Sequence, residues 1–172
     1  TSTEVYDYIK LLFARIGKTY SPISNKEVKR NVTADVVDYI KSLNENEKIF
    51  ILSEINSEPN DNLKKKIKSL ISQGYNRIKI HNKVIKLSEA LKIEKFKSKK
   101  AFLVVDRIIT KKDDAIYNRI SDSIETAIYE GHGKCIIELI EKKIQKEFNT
   151  KFEKDGIRFL EPDVNLFSFN NP

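Results

Sequence analysis

Apolar residues recur at helical spacing in four stretches. Val5, Ile9, Leu12, Phe13 and Ile16 predict a helix over residues 3–16, with Glu4 suited to its start and Gly17 to its C-terminal cap. Val36, Ile40 and Leu43 predict a second over 33–43. Leu63, Ile67, Leu70 and Ile71 predict a third over 62–73, capped by Asn60 or Asp61 and stopped by Gly74. Ile116, Ile120, Ile124, Ala127 and Ile128 predict a fourth from Asp113 to Glu130, where Gly131 and Gly133 end it.

Other segments carry strand patterns. Ile49 to Leu52 is a short β-rich run, and residues 57–61 following it read as a polar loop. Residues 77–80 and 84–87 predict a hairpin folded at His81-Asn82-Lys83. In its first strand Ile78 and Ile80 share one face, and Arg77 and Lys79 the other. Residues 101–110 form a near-continuous apolar run broken by Asp106-Arg107, as expected of a central strand. Residues 134–140 predict another strand, and from Glu141 the pattern turns charged. Residues 18–30 read as irregular. The expected class is α/β (α+β): a small mixed sheet with a β-hairpin, flanked by about four helices.

The composition narrows the function classes. The 172 residues hold 32 Lys and Arg against 25 Asp and Glu, a net charge of +7. The single cysteine, Cys135, excludes an internal disulfide framework and any zinc site built on cysteine pairs. No apolar stretch approaches the ~18 residues of a membrane span. The chain is expected to be soluble and cytoplasmic. It contains no methionine and starts inside a helical pattern, so it reads as a segment of a longer protein. The lysines gather at Lys64, Lys65, Lys66 and Lys68, and again at Lys92, Lys95, Lys97, Lys99 and Lys100, where Phe96 is the one interleaved aromatic. Solvated helix surface, a nucleic-acid patch and an acidic protein partner all explain such charge.

No catalytic constellation emerges. Gly131-His132-Gly133-Lys134-Cys135 ends like a phosphate-binding loop, but the pattern requires glycine where Ile128 stands and a hydroxyl where Cys135 stands. Its glycines also follow a helix and precede a strand, the reverse of a phosphate cradle. His81 and His132 sit apart in turns, and Cys135 lies in an apolar strand.

Five runs in order resemble the UvrA family, the DNA-damage-sensing ATPases of bacterial nucleotide excision repair. They are Thr3-Glu4-Val5-Tyr6-Asp7-Tyr8 continuing as Leu11 to Gly17; Gln73-Gly74-Tyr75 with Arg77; Val104-Val105-Asp106-Arg107; Asp122 to Ala127; and Glu161-Pro162 with Leu166 to Pro172. The resemblance implies an insertion within the first ATP-binding half. Residues 1–31 and 149–172 would then belong to the ATPase framework, and 32–148 to the module that docks UvrB. It implies no ATP hydrolysis by this segment, with ATP and Mg, DNA contact and homodimerisation belonging to the parent protein. Arg77 and Arg107 match arginines that the family uses on UvrB, where a planar guanidinium fork suits carboxylates. For Arg107 an internal salt bridge to Asp106 or Asp113 is the alternative. Tyr75 could serve the interface or the core, and Lys64, Lys65, Lys66 and Lys68 could steer an acidic partner. The rival is a DNA-binding module contacting phosphates through the lysines. UvrA proteins commonly place cysteine or histidine pairs, resembling a zinc module, where this chain has Ser21 and Ser24 and, later, Phe152 to Arg158 without a thiol. Serine hydroxyls are poor zinc ligands, so zinc is expected to be absent and packing through Phe152, Ile157, Phe159 and Leu160 to replace it.

Overall fold

The computed structural model describes residues 2–55, 63–93 and 100–163, without the side chains of Ser2 and Thr3. The loop expected at 57–61, the caps Asn60 and Asp61, and Lys95, Phe96, Lys97 and Lys99 lie outside the described residues. In chain order the elements are α1 (Ser2–Ile16), α2 (Thr33–Lys41), β1 (Lys48–Ile55), α3 (Leu63–Ser72), β2 (Arg77–Ile80), β3 (Lys83–Lys86), α4 (Leu87–Ala90), β4 (Ala101–Ile109), α5 (Asp114–Glu130), β5 (Lys134–Leu139), β6 (Ile144–Asn149), β7 (Glu153–Lys154) and β8 (Ile157–Arg158). They divide into two compact units, residues 31–150 and residues 1–30 with 151–172.

The larger unit is an antiparallel sheet in the order β3-β2-β4-β1-β5-β6. β1 and β4 lie inside it and are apolar on both faces, which is why their sequences read as continuous runs. On one face Ile49, Ile51, Ile108, Cys135 and Ile137 pack against Val36 and Ile40 of α2 and Ile120, Ile124 and Ala127 of α5. Further along that face Ile55, Ile78, Ala101 and Leu103 pack against Ile67 and Leu70 of α3 and Leu87 and Ala90 of α4. Strand alternation sends Phe50, Leu52, Phe102, Val104 and Ile136 to the opposite face, where they form a third cluster. The helices α2, α3, α4 and α5 therefore share one face of the sheet.

Local chemistry fixes the element ends. Asp113 caps α5 by accepting from Ala115 N at 3.1 Å. The Val32 amide donates to Asp35 Oδ2 at 2.9 Å where α2 begins. After α3, Gly74 turns to φ +92° and the amides of Gly74 and Tyr75 donate to the carbonyls of Ile71 and Leu70. That cap aims Tyr75 back at the core.

Several expectations need correction. The charged stretch after Glu141 contains β6, an edge strand that buries only Phe148 and Asn149. Phe148 meets Tyr39 with ring centroids 5.5 Å apart, and Lys146 lies over the Tyr39 ring at 3.9 Å. The hairpin turn is the two residues His81 and Asn82, since Lys83 pairs with Ile80, and Leu87 opens the short helix α4. Lys79 shares the face of Arg77, as expected, but not its exposure. It is 4% exposed and pairs with buried Glu138, which also accepts from Gln145 Nε2 at 2.6 Å. In sheet order β4 and β1 stand between the two partners, so their side chains lie across the face that carries Phe50 and Phe102.

The smaller unit contains α1 and the β7–β8 hairpin. Asp155 (φ +52°) and Gly156 (φ +78°) form its turn, the left-handed pair favoured in two-residue hairpins. The expected replacement packing is only partly present: Phe152 and Phe159 are half-buried, but Ile157 and Leu160 are exposed. Val5, Ile9, Leu12, Phe13 and Ile16 of α1 are exposed as well.

The Lys79–Glu138 pair yields a stability test. Glu138→Ala leaves a buried ammonium without its partner and is expected to cost about 3–5 kcal/mol. Lys79→Met with Glu138→Leu is expected to recover most of that loss. Urea unfolding of the two variants against wild type checks it.

Candidate functional site

β4 outruns its neighbour. β2 pairs with Ala101 to Leu103 only, while β1 pairs along β4 from Ala101 to Ile109. Beside the uncovered stretch opens a notch of about 420 Å³. The turn after α3 lines it with Gly74, Tyr75, Asn76 and Arg77, β4 with Val104 to Arg107, and α5 with Arg119.

A β-bulge sets which way these side chains point. Leu52 pairs with Val104 and Ile51 with Asp106, so Val105 is an extra residue in β4. Val105 packs with the helix-side clusters. Asp106, next in line, meets α5 on that same side, and the alternation after it is inverted. Ile108 consequently reaches the helix-side core, and Arg107 falls on the opposite face, exposed. Arg77 is also exposed there, because Ile78 and Ile80 of the same strand face the helices. The structure thus brings Arg77, Arg107 and Tyr75 to one notch.

The internal salt bridge considered for Arg107 does not form. Asp106 is taken by Arg119, whose Nε donates to Oδ2 at 2.9 Å and whose terminal nitrogen donates to Oδ1 at 2.7 Å. Ser123 Oγ donates to Oδ2 at 2.9 Å and the Arg107 amide to Oδ1 at 2.7 Å. Burial raises the carboxyl pKa, but these hydrogen bonds outweigh it and hold the pKa below its ordinary value. Asp113 is occupied as the α5 cap. Among the described residues, neither the Arg77 nor the Arg107 guanidinium has an ion-pair partner.

Tyr75 packs with the core and also stands at the notch. Its ring is half-buried against the α3 and α4 cluster, and its hydroxyl donates to Glu130 Oε1 at 3.3 Å while the residue lines the notch. Burial first, then the Glu130 charge, pushes its pKa up. Lys64, Lys65 and Lys68 are exposed on the solvent side of α3 and Lys66 is half-buried; none of the four lines the notch. Arg119 was not singled out by sequence reasoning, and Asp106 only as an alternative partner for Arg107. The signal available was the one-turn spacing of Arg119 and Ser123 beside the Ile120–Ile124 stripe.

The remaining motifs occupy turns, core and hydrogen-bonded contacts. Gly131, His132 (φ +52°) and Gly133 (φ +104°) make the tight turn from α5 to β5, and a Cβ at Gly131 would lie 2.1 Å from the Lys134 carbonyl oxygen. Burial pushes the Cys135 thiol up to about 12, far from a reactive thiolate. Ser21 Oγ and Ser24 Oγ each donate to Asp155 Oδ2 at 2.5 Å. The residues at the position of the family's zinc module thus do not fit zinc, since two protonated hydroxyls and one carboxylate lack its usual thiolate or imidazole ligands. Among the described residues no three His, Cys, Asp or Glu side chains gather as metal ligands, and no helix is long and apolar enough to cross a membrane.

Comparison with known proteins adds a family. Residues 32–141 match the family described as UvrA interaction domain. The whole chain is similar to three proteins called UvrABC system protein A. Identity is 35% over 172 residues for that of Malacoplasma penetrans, 33% over 173 for Staphylococcus epidermidis and 38% over 174 for Clostridium tetani. The chain spans 18% of the length of each of these relatives.

The depressed pKa of Asp106 predicts a pH dependence. The unfolded chain binds this proton at higher pH than the folded one, so the stabilisation is complete above the ordinary carboxylate value of about 4. It is lost as pH falls through that value toward the native one. Asp106→Asn is expected to lower the urea midpoint at pH 7, and the gap to wild type is expected to close progressively below about pH 4. A midpoint series from pH 7 to 3 measures it.

Proposed function

The chain belongs to the UvrA family, and from that premise we propose that it docks UvrB through Arg77 and Arg107, coupling recognition of DNA damage to UvrB loading in nucleotide excision repair. One observation carries this reading. Two exposed guanidiniums, without ion-pair partners among the described residues, line one notch within the stretch that matches the UvrA interaction domain. Each fork can take a partner carboxylate with two parallel hydrogen bonds, and neither must first break an internal pair. Tyr75 adds a ring edge with little freedom left to lose.

The segment itself is assigned no catalysis. ATP and Mg binding, DNA contact, homodimerisation and a cytoplasmic location are proposed for a whole UvrA-like protein. The exposed apolar stripe of α1 is assigned to its ATPase framework. The lysines of α3 would steer an acidic partner rather than hold it, since they stand outside the notch.

Calorimetric titration with UvrB at two salt concentrations tests docking. Arg77→Ala and Arg107→Ala are each expected to cost about 2 kcal/mol or more of binding free energy. If wild type is folded and does not bind UvrB, docking is wrong. If it instead binds duplex DNA with an affinity that falls steeply with salt and with Lys64, Lys65 and Lys68 substitutions, the phosphate-binding reading replaces it.

We propose further that residues 1–30 and 151–163 fold without zinc, using the Ser21–Ser24–Asp155 contacts instead. The purified chain is expected to hold less than stoichiometric zinc, and its unfolding midpoint to be unchanged by a chelator. A chelator-sensitive midpoint would overturn this.

A further inference from the structure

Asp106 is the acid among the residues lining the notch, and it is the chain neighbour of Arg107. An uncompensated carboxylate there would do two things. It would attract the Arg107 guanidinium around the open edge of β4, and it would repel the carboxylates of an acidic partner. The structure prevents both. Arg119 reaches from α5 and covers the two carboxylate oxygens with a bidentate pair at 2.7 and 2.9 Å. Ser123, one turn along α5, takes a further position on Oδ2. Arg119 remains 65% exposed by side chain, whereas the Asp106 side chain is 15% exposed. The pair is thus a positively charged lid on a largely covered anion.

Resting on the docking reading above, we propose that Arg119 is a positioning residue for partner recognition: by occupying Asp106 it leaves Arg107 free and cancels the negative charge inside the notch. Arg119 need not touch the partner. The notch requires such a device, because aspartate and arginine are chain neighbours in its lining where only the arginine is wanted. Arginine fits the task better than lysine, since its fork satisfies both oxygens at once.

The test has one arm independent of any partner. In NMR spectra of the free chain, the Arg119 Nε–H is expected to be protected and the Arg107 Nε–H to exchange with water. In Arg119→Ala, the Arg107 Nε–H is expected to become protected as its guanidinium moves to Asp106. In Arg119→Ala with Asp106→Asn, it is expected to exchange freely again. The second arm is titration with UvrB. Arg119→Ala is expected to weaken binding roughly tenfold, and the double variant to return to within about threefold of wild type.

If Arg107 stays freely exchanging in Arg119→Ala, the positioning role is wrong even where wild type binds UvrB. If the double variant binds as weakly as Arg119→Ala, Arg119 contacts the partner directly and the proposal falls. If wild type does not bind UvrB but the NMR pattern follows expectation, positioning stands and docking fails.

Discussion

The extra residue Val105 in β4 is the constraint from which the arrangement of the candidate site follows. Antiparallel pairing with β1 allows each β4 residue one of two faces, and an unbroken ladder would assign them by simple alternation. Ala101, Leu103 and Val105 face the helices, so unbroken alternation would turn Arg107 under α5 and leave Asp106 among Phe102 and Val104. That arrangement would bury a guanidinium in an apolar layer, at a cost of several kcal/mol unless it were fully paired. The bulge inverts the alternation for one added residue. Asp106 then meets the α5 donors, Ile108 enters the core and Arg107 joins Arg77 on the other face.

The domain handles its charges in two contrasting ways. Lys79 and Glu138 are both nearly inaccessible and are held against each other on the face of the third cluster. There each ion depends on the other, and the pair specifies geometry more than it adds stability. Arg77 and Arg107 remain in water, so the free protein bears little cost for leaving them without ion partners. The same solvation makes them available. On the docking reading proposed above, desolvation is deferred until a partner supplies carboxylates, when paired, charge-assisted hydrogen bonds offset it. Asp106 lies between these regimes: partly covered, four times hydrogen-bonded, and neutralised by a residue that keeps one side in solvent.

Most elements legible in the sequence were those whose burial imposes a period; α1 was legible as well, by a periodic stripe that is exposed here. The stripes of α2, α3 and α5 and the runs of β1, β4 and β5 each face a core that excludes water, and their patterns show it. β6 was illegible because an edge strand exposed along most of its length needs no alternation, and Phe148 alone marks its buried side. The β7–β8 hairpin had a readable Asp155-Gly156 signal that went unused. Period two gave the face of Lys79 correctly but not the accessibility of that face. For the candidate site, periodicity gave only the polar face of Arg77. The pairing of Arg77 with Arg107 as docking residues came from family resemblance. Their common notch needed the bulge and the short span of β2, neither of which has a one-dimensional signature.

The Ser21–Ser24–Asp155 cluster bears on how the smaller unit closes. A structural zinc site contributes roughly 10–16 kcal/mol of apparent folding free energy in small metal-dependent domains. Two hydroxyl-to-carboxylate hydrogen bonds at an exposed carboxylate such as Asp155, where water competes for the same oxygens, contribute far less. Packing does not fill that difference, since Ile157 and Leu160 are exposed and Phe152 and Phe159 only half-buried. Local turns supply part of the order instead. Ser21 is fixed by its amide on the Lys26 carbonyl, Asn25 returns to the Ser21 carbonyl, and the positive φ angles of Asp155 and Gly156 present the carboxylate to both hydroxyls. Residues 31–150 carry their own three apolar clusters and need no such closure for their sheet. On the proposed zinc-free reading, the two units rest on different physics: one on buried area, the other on a small hydrogen-bonded knot whose acceptor weakens as acid protonates it.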